Sequence, residues 1–311
     1  MTVLIYDDIF LKHNTGYGHP ENAKRLEKTL IHLESSEIWK QLTVEVPCSA
    51  STEELGSIHS PSYTEFVKRI ANNGGGWLDS DTVVSVKSYN AAIHATGALL
   101  TATDLIIRGG EKNGFCLVRP PGHHATPKTG MGFCLFNNAA IAARYIQSKY
   151  HMKKILIVDW DVHHGNGTQD AFYEDPTVLY FSMHRYPFYP GTGRKEEEGR
   201  GAGKGFTINV PLPADTKPPK YIELFTDAMH QKISPFKPDF IIISAGFDAY
   251  RNDPIGGLNL EIADFHTLTE IVVQFAEKHC NGRLVSCLEG GYNITELPLC
   301  IEAHLKALLH E

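Results

Sequence analysis

Apolar residues recur along this chain with two periods, and the two alternate. Residues 3–6 form a short apolar run that reads as a first strand. His19-Pro20-Glu21 then opens a helix, with Pro in the first turn and Ala23, Leu26, Leu30 and Leu33 at helical spacing. Ser62-Tyr-Thr-Glu65 has the pattern of a capping box and predicts a second helix that buries Phe66, Val67 and Ile70. Gly74-Gly-Gly76 marks a loop, and residues 88–107 form an Ala-rich helical stretch. Strand-like runs follow at 115–118, 155–158, 178–181, 207–210, 240–244 and 283–288, with helical stretches at 137–150, 221–233 and 263–279. Near-continuous apolar strands alternating with helices predict a parallel sheet covered on both faces. With no repeat and no Pro/Ser-rich linker, residues 1–311 read as a single domain.

Composition narrows the function. The chain has 29 Lys+Arg against 36 Asp+Glu, a formal charge of -7, which argues against nucleic acid as a direct ligand. Its first residues, broken by Asp7 and Asp8, lack the basic region and cleavage site of a signal peptide. No run approaches the roughly 18 apolar residues of a membrane span. The cysteines at 48, 116, 134, 280, 287 and 300 form no CxxC pair and read as reduced core residues of a cytoplasmic protein. Residues 184–205 break the periodicity. Arg194, Lys195, Glu196 to Glu198 and Arg200 read there as a solvated tip, whereas Tyr-Pro-Phe-Tyr-Pro is too aromatic for that.

Chemistry collects after the strands, where open α/β sheets bind ligands. Four strand ends lead into His123-His124, into Asp159, Asp161, His163 and His164, into Asp248, and through Glu289-Gly-Gly into Tyr292. Asp159, Asp161 and His163 share parity, so an extended chain would turn their side chains to one side, with Asp248 arriving from a separate strand. Two carboxylates and one imidazole leave a metal an open position, and both Zn²⁺ and Fe²⁺ suit that donor set. The tandem histidines suit acid–base work on a water, and Gly132 and the glycines before Tyr292 permit close approach of backbone to a ligand. Tyr292 can donate to a developing oxyanion. Together these parts describe metal-assisted amide hydrolysis.

The ordered segments "RPPGHHA", "GFCLFNNAA", "VDWDVHHGNGTQDAF", "SMHRYPFYPGTG", "SAGFDAYRNDP" and "LEGGYN" resemble the signatures of the histone deacetylase superfamily. The likeness is greatest to class II and its bacterial amidohydrolase relatives, and "HPENAKRL" resembles the family's first loop and helix. The resemblance implies an arginase-like α/β fold, a three-layer α/β/α sandwich around a mainly parallel eight-stranded sheet. It implies Asp161, His163 and Asp248 as Zn²⁺ ligands, His124 as general base and acid, and His123 as its electrostatic partner. Asp159 would hold His123 cationic, Asn166 would face His124, and Tyr292 would polarise the scissile carbonyl. Phe133 and Tyr189 match the walls of the tunnel for the acyl-lysine stem, with Gly290 also lining it. Arg25 resembles the arginine of an internal acetate channel. Asp159, Asp161, His163, Ser182 and Met183 match a structural K⁺ site.

The resemblance implies an acetylated lysine peptide or a small acetylamine as substrate. The eukaryotic polyamine enzyme carries a Glu gatekeeper where this chain has Ile255, and its absence favours acetyl-lysine in proteins or peptides, although bacterial polyamine enzymes achieve selectivity differently. The alternatives are an acetylpolyamine amidohydrolase and a catalytically silent acyl-lysine binder. A binuclear manganese ureohydrolase shares the fold but needs more ligands.

Overall fold

The apolar runs become the strands of one large sheet. The computed structural model describes residues 2–310. In chain order the strands are β1 (Thr2–Ile5), β2 (Leu42–Glu45), the short antiparallel pair β3 (Gly76–Trp77) and β4 (Val83–Val84), β5 (Asn113–Cys116), β6 (Ile155–Asp159), β7 (Val178–Arg185), β8 (Thr207–Leu212), β9 (Phe240–Ala245) and β10 (Leu284–Leu288). Eight of them make a sheet of order β2-β1-β5-β10-β9-β6-β7-β8, parallel at every junction. The central strands β6, β9 and β10 are buried at every residue. Each Ile, Leu or Val side chain so enclosed contributes about 1.5–3 kcal/mol.

The helices are α1 (Lys24–Ser35), α2 (Thr52–Gly56), α3 (Pro61–Asn72), α4 (Ser88–Ile107), α5 (Asn138–Tyr150), α6 (Asn166–Phe172), α7 (Pro218–Asp227), α8 (Ile262–Cys280) and α9 (Leu297–Leu309). On one face of the sheet α4 packs against α5, and on the other α1, α9, α8 and α7 pack in succession. This is the three-layer architecture expected.

Because the strands are parallel, their carboxyl ends share one rim. Register sets Asp159 beside both Ser182 and Ser244, and Cys287 beside Cys116 and Ser244. The loops leaving β5, β6, β9 and β10 therefore start as neighbours.

Several local expectations shift. Helix α3 begins at Pro61 with the Ser60 side chain accepting from Tyr63 N, so Ser62 does not cap it, and Phe66 stays exposed. β2 escapes the pattern because it is an edge strand of half-exposed residues. Ser51 and Glu54 make the capping box of α2, a signal the sequence carries and periodicity overlooks. Helices α6 and α9 also form where periodicity gives no helix, and the stretch after α7 is a π-helical turn, Ala228–Ile233. All six cysteines are free, but Cys48 is exposed, so the all-core reading fails for it.

Candidate active site

The chain turns sharply as β6 ends at Asp159. Trp160 N donates to Ser244 O, Asp161 N to Asp159 Oδ1 and His163 N to Asp161 Oδ1, at 3.3, 3.1 and 2.9 Å. Parity therefore stops at Asp159, contrary to the extended-chain expectation. While Oδ1 of Asp159 takes the Asp161 N–H, its Oδ2 accepts from Tyr180 OH at 2.9 Å and meets His123 Nδ1 at 3.0 Å, so this carboxylate serves its neighbours and does not join Asp161 and His163.

Asp161, His163 and Asp248 do converge. Their ligand atoms lie within 4.8 Å of one another, and all three residues are buried. His163 Nδ1 lies 3.0 Å from Asp161 Oδ1 and 3.1 Å from Asp248 Oδ2. Backbone donors aim the carboxylates, Val162 N to Asp248 Oδ1 at 2.9 Å and Gly290 N to Asp161 Oδ2 at 2.8 Å.

Burial, then the neighbouring Asp161 charge, pushes Asp248 up to about 7. Burial opposes charge on His163 too, but its bonds to both carboxylates hold it at about 9. Against burial, His123 and His163 keep Asp161 well below the usual carboxylate range. Two buried carboxylates and one imidazole thus converge on one point. Their oxygen and nitrogen donors fit a divalent cation.

The tandem histidines lie beside this cluster with ring centroids 4.0 Å apart. His124 Nδ1 is 2.8 Å from Asn166 Oδ1, an acceptor, which assigns the proton to Nδ1 and leaves Nε2 with a free lone pair. Burial disfavours a cationic His123, yet Asp159 and Asp161 override it and raise the imidazole to about 10. His124 is held well below its ordinary value by burial and by the cationic neighbours His123 and His163. The surroundings therefore favour the cationic form of His123 and the neutral form of His124.

The histone deacetylase domain profile matches residues 19–308. The chain belongs to the histone deacetylase family. It is 39% identical over 296 residues to a probable deacetylase of Archaeoglobus fulgidus, spanning 94% of this chain and 82% of that protein. It is 38% identical to histone deacetylase 7 of Homo sapiens across 99% of this chain, but covers only 36% of that protein's length. The crystal structure of the HDA15 HD domain superposes with a TM-score of 0.94 at 37% identity, covering 100% of this chain and 88% of that one. This confirms the arginase-like fold. As a histone deacetylase family member the chain is a hydrolase, and the family is generally metal-dependent.

In this deacetylase-family chain a cavity of about 230 Å³ leads to the cluster, lined by Asp81, His124, Gly132, Phe133, His163, Phe188, Tyr189, Ile255 and Tyr292. Gly132 has φ 55° and lies against the His124 ring, where any Cβ would clash. Phe133 keeps the left-handed backbone, φ 69°, and its N–H donates to Thr82 Oγ1 at 3.0 Å, which fixes the wall. Gly290 does not line the cavity but supplies the N–H to Asp161. Phe188 went unassigned in the sequence. It stacks on His163 at 5.1 Å and 13°, with Arg185 4.1 Å over its ring. Glu197 leaves the solvated tip, accepting from Gln169 Nε2 at 2.7 Å and from Gly193 N at 3.1 Å, and so anchors the aromatic loop.

Arg25 lies behind Tyr292, fully buried, with its guanidinium 4.9 Å over the phenol ring. It donates to Gly291 O and Glu289 O, both at 2.6 Å, and to Glu21 Oε1 at 3.1 Å. Glu21 also accepts from Arg119 Nη2 at 2.8 Å, and Arg119 reaches Phe10 O and His13 O. Glu21 and Arg119 lie in the segments "HPENAKRL" and "RPPGHHA", but nothing local in either announces that the two residues pair.

Despite burial, Arg119, His13 and Arg25 lower Glu21 from 4.5 to about 2. A carboxyl depressed in the folded state stabilises fully above its unfolded value, and that stability is lost as pH falls through the folded one. Glu21→Ala leaves two buried guanidiniums unpaired and should cost about 3–5 kcal/mol in denaturant unfolding at pH 7. The deficit should narrow between pH 4.5 and about 2, as the parent's Glu21 protonates. A pH-independent deficit would contradict the ion-pair account.

Proposed function

We propose that the chain is a zinc-dependent deacetylase that hydrolyses the acetyl amide of acetyl-lysine in proteins or peptides. The observation that carries this is the meeting of the Asp161–His163–Asp248 cluster with His124 and Tyr292 at the end of an aromatic-walled cavity. Zinc held by those three residues would polarise the carbonyl and acidify the attacking water; Fe²⁺ suits the same donors. His124 Nε2, free because Nδ1–H faces Asn166, takes the proton from the water. His123, held cationic by Asp159, stabilises the negative charge that develops beside it, and a histidine returns a proton to the departing amine. The Tyr292 hydroxyl donates to the oxyanion. Phe133 and Tyr189 flank the aliphatic stem.

A structural K⁺ at Asp159, Asp161, His163, Ser182 and Met183 belongs to the proposal, supported by the side-by-side register of Asp159 and Ser182. So does a cytoplasmic location, supported by six unpaired cysteines. Among the described residues no helix is long and apolar enough to cross a membrane. Ile255, half-buried at the cavity, favours a peptide substrate. Asp81, also at the cavity, favours the alternative of an acetylpolyamine, whose cationic tail a carboxylate would attract.

Amine release from an acetyl-lysine peptide and from N-acetylputrescine, measured side by side with and without a chelator, decides between them. Faster, chelator-sensitive peptide turnover is expected. Faster polyamine turnover moves the assignment to the alternative, and turnover of neither removes the acetyl specificity and points to a silent binder.

A further inference from the structure

Glu289 directly follows β10 and is wholly buried, a costly place for a carboxylate unless its oxygens are well used. They are. Oε2 accepts from Gly122 N at 2.7 Å and His123 N at 3.2 Å, and Oε1 accepts from Ser244 Oγ at 3.1 Å. The first two donors belong to the loop that carries the tandem histidines, and the third to β9.

The backbone of the same residue is fixed on the opposite side. Glu289 N donates to Ala245 O at 3.0 Å, and Glu289 O accepts from Arg25 Nη2 at 2.6 Å. Three residues later comes Tyr292, whose N–H is held by Asp253 Oδ2 at 2.7 Å. One residue thus spans the loop bearing the acid–base pair and the loop bearing the phenol.

We propose that Glu289 is a positioning residue, whose carboxylate fixes the His123–His124 loop against the strand end that leads to Tyr292. Its catalytic consequence rests on the deacetylase reading above; its geometric claim does not. The role depends on reach and acceptor geometry rather than on charge. Glutamine keeps both, since its carbonyl oxygen can accept from Gly122 N and His123 N while its amide donates to Ser244 Oγ. Aspartate keeps the charge but is one methylene too short.

The test compares Glu289→Ala, Glu289→Asp and Glu289→Gln, with kcat expressed per bound zinc. Ala and Asp should lower kcat about 100-fold with KM nearly unchanged, because the aromatic walls Phe133 and Tyr189 are untouched and only the alignment of the His123–His124 loop slips. Gln should restore kcat to within about fivefold of the parent. Should the Ala protein fail to fold, the Asp and Gln pair still decides. Aspartate outperforming glutamine would overturn the proposal in favour of a purely electrostatic role, and parental kcat in the Ala or Asp protein would overturn it outright.

An activity-free measurement separates this from the deacetylase reading. The imidazole Nδ1–H resonances of His123 and His124 should move in the Ala and Asp proteins and return in the Gln protein. Unmoved resonances sink the positioning role. Moved resonances in a chain that hydrolyses no acetyl amide would uphold it while sinking the deacetylase reading.

Discussion

Asp248→Ala is expected to abolish metal uptake and amide hydrolysis together. Asp248 is wholly buried, its Oδ1 fixed by Val162 N and its Oδ2 3.1 Å from His163 Nδ1. Alanine removes one of three converging donors and one of the two negative charges that draw a divalent ion into a water-poor site. It also frees His163 from one of the two carboxylates that orient it. Loss of ligand-oriented geometry alone costs about 10–100-fold in affinity even for groups that only support a ligand, so loss of a ligand should exceed that. Zinc content after dialysis and peptide turnover, measured on one preparation whose melting curve shows it folded, check the prediction. One retained equivalent of zinc with parental turnover would remove Asp248 from the proposed ligand set.

The neighbouring strand ends explain why so much of this cluster was legible. Each of His123-His124, Asp161-Val-His163, Asp248 and Tyr292 follows a dense apolar run, and in a parallel sheet such runs all end at one rim. Which side chains then face one another was less legible. Asp159 shares parity with Asp161, yet it serves His123 and Tyr180 because the chain leaves the extended conformation at that residue. Phe188 sat in an aromatic stretch already marked as unusual, but its stacking on His163 depends on a loop returning across the rim. Glu21 and Arg119 lie 98 positions apart, and no local pattern announces a pairing over that separation. The fold shows the same division. Buried β9 and β10 declare themselves by composition, whereas edge strand β2 and the short helix α2 depend on partners and caps.

Tyr292→Phe should leave the protein folded and loaded with metal while lowering kcat by about 10²–10³-fold, the usual effect of deleting one oxyanion donor. The ring has ample reason to stay in place. Phe133 meets it edge-on at 5.8 Å, Arg25 lies 4.9 Å over its face, and Asp253 holds its backbone N–H. Phenylalanine preserves all three contacts and removes only the hydroxyl. Burial, with the charges of Asp248 and Asp161, keeps the phenol well above its ordinary value although the Arg25 cation pulls the other way. The group is therefore a protonated donor throughout the neutral range, and its loss should lower kcat without reshaping the pH profile. An interaction made chiefly as charge develops contributes little to ground-state binding, so KM should change far less than kcat. If KM instead rose in step with an unchanged kcat, Tyr292 would be a binding contact for the substrate, and the oxyanion would have to be stabilised by other groups at the rim.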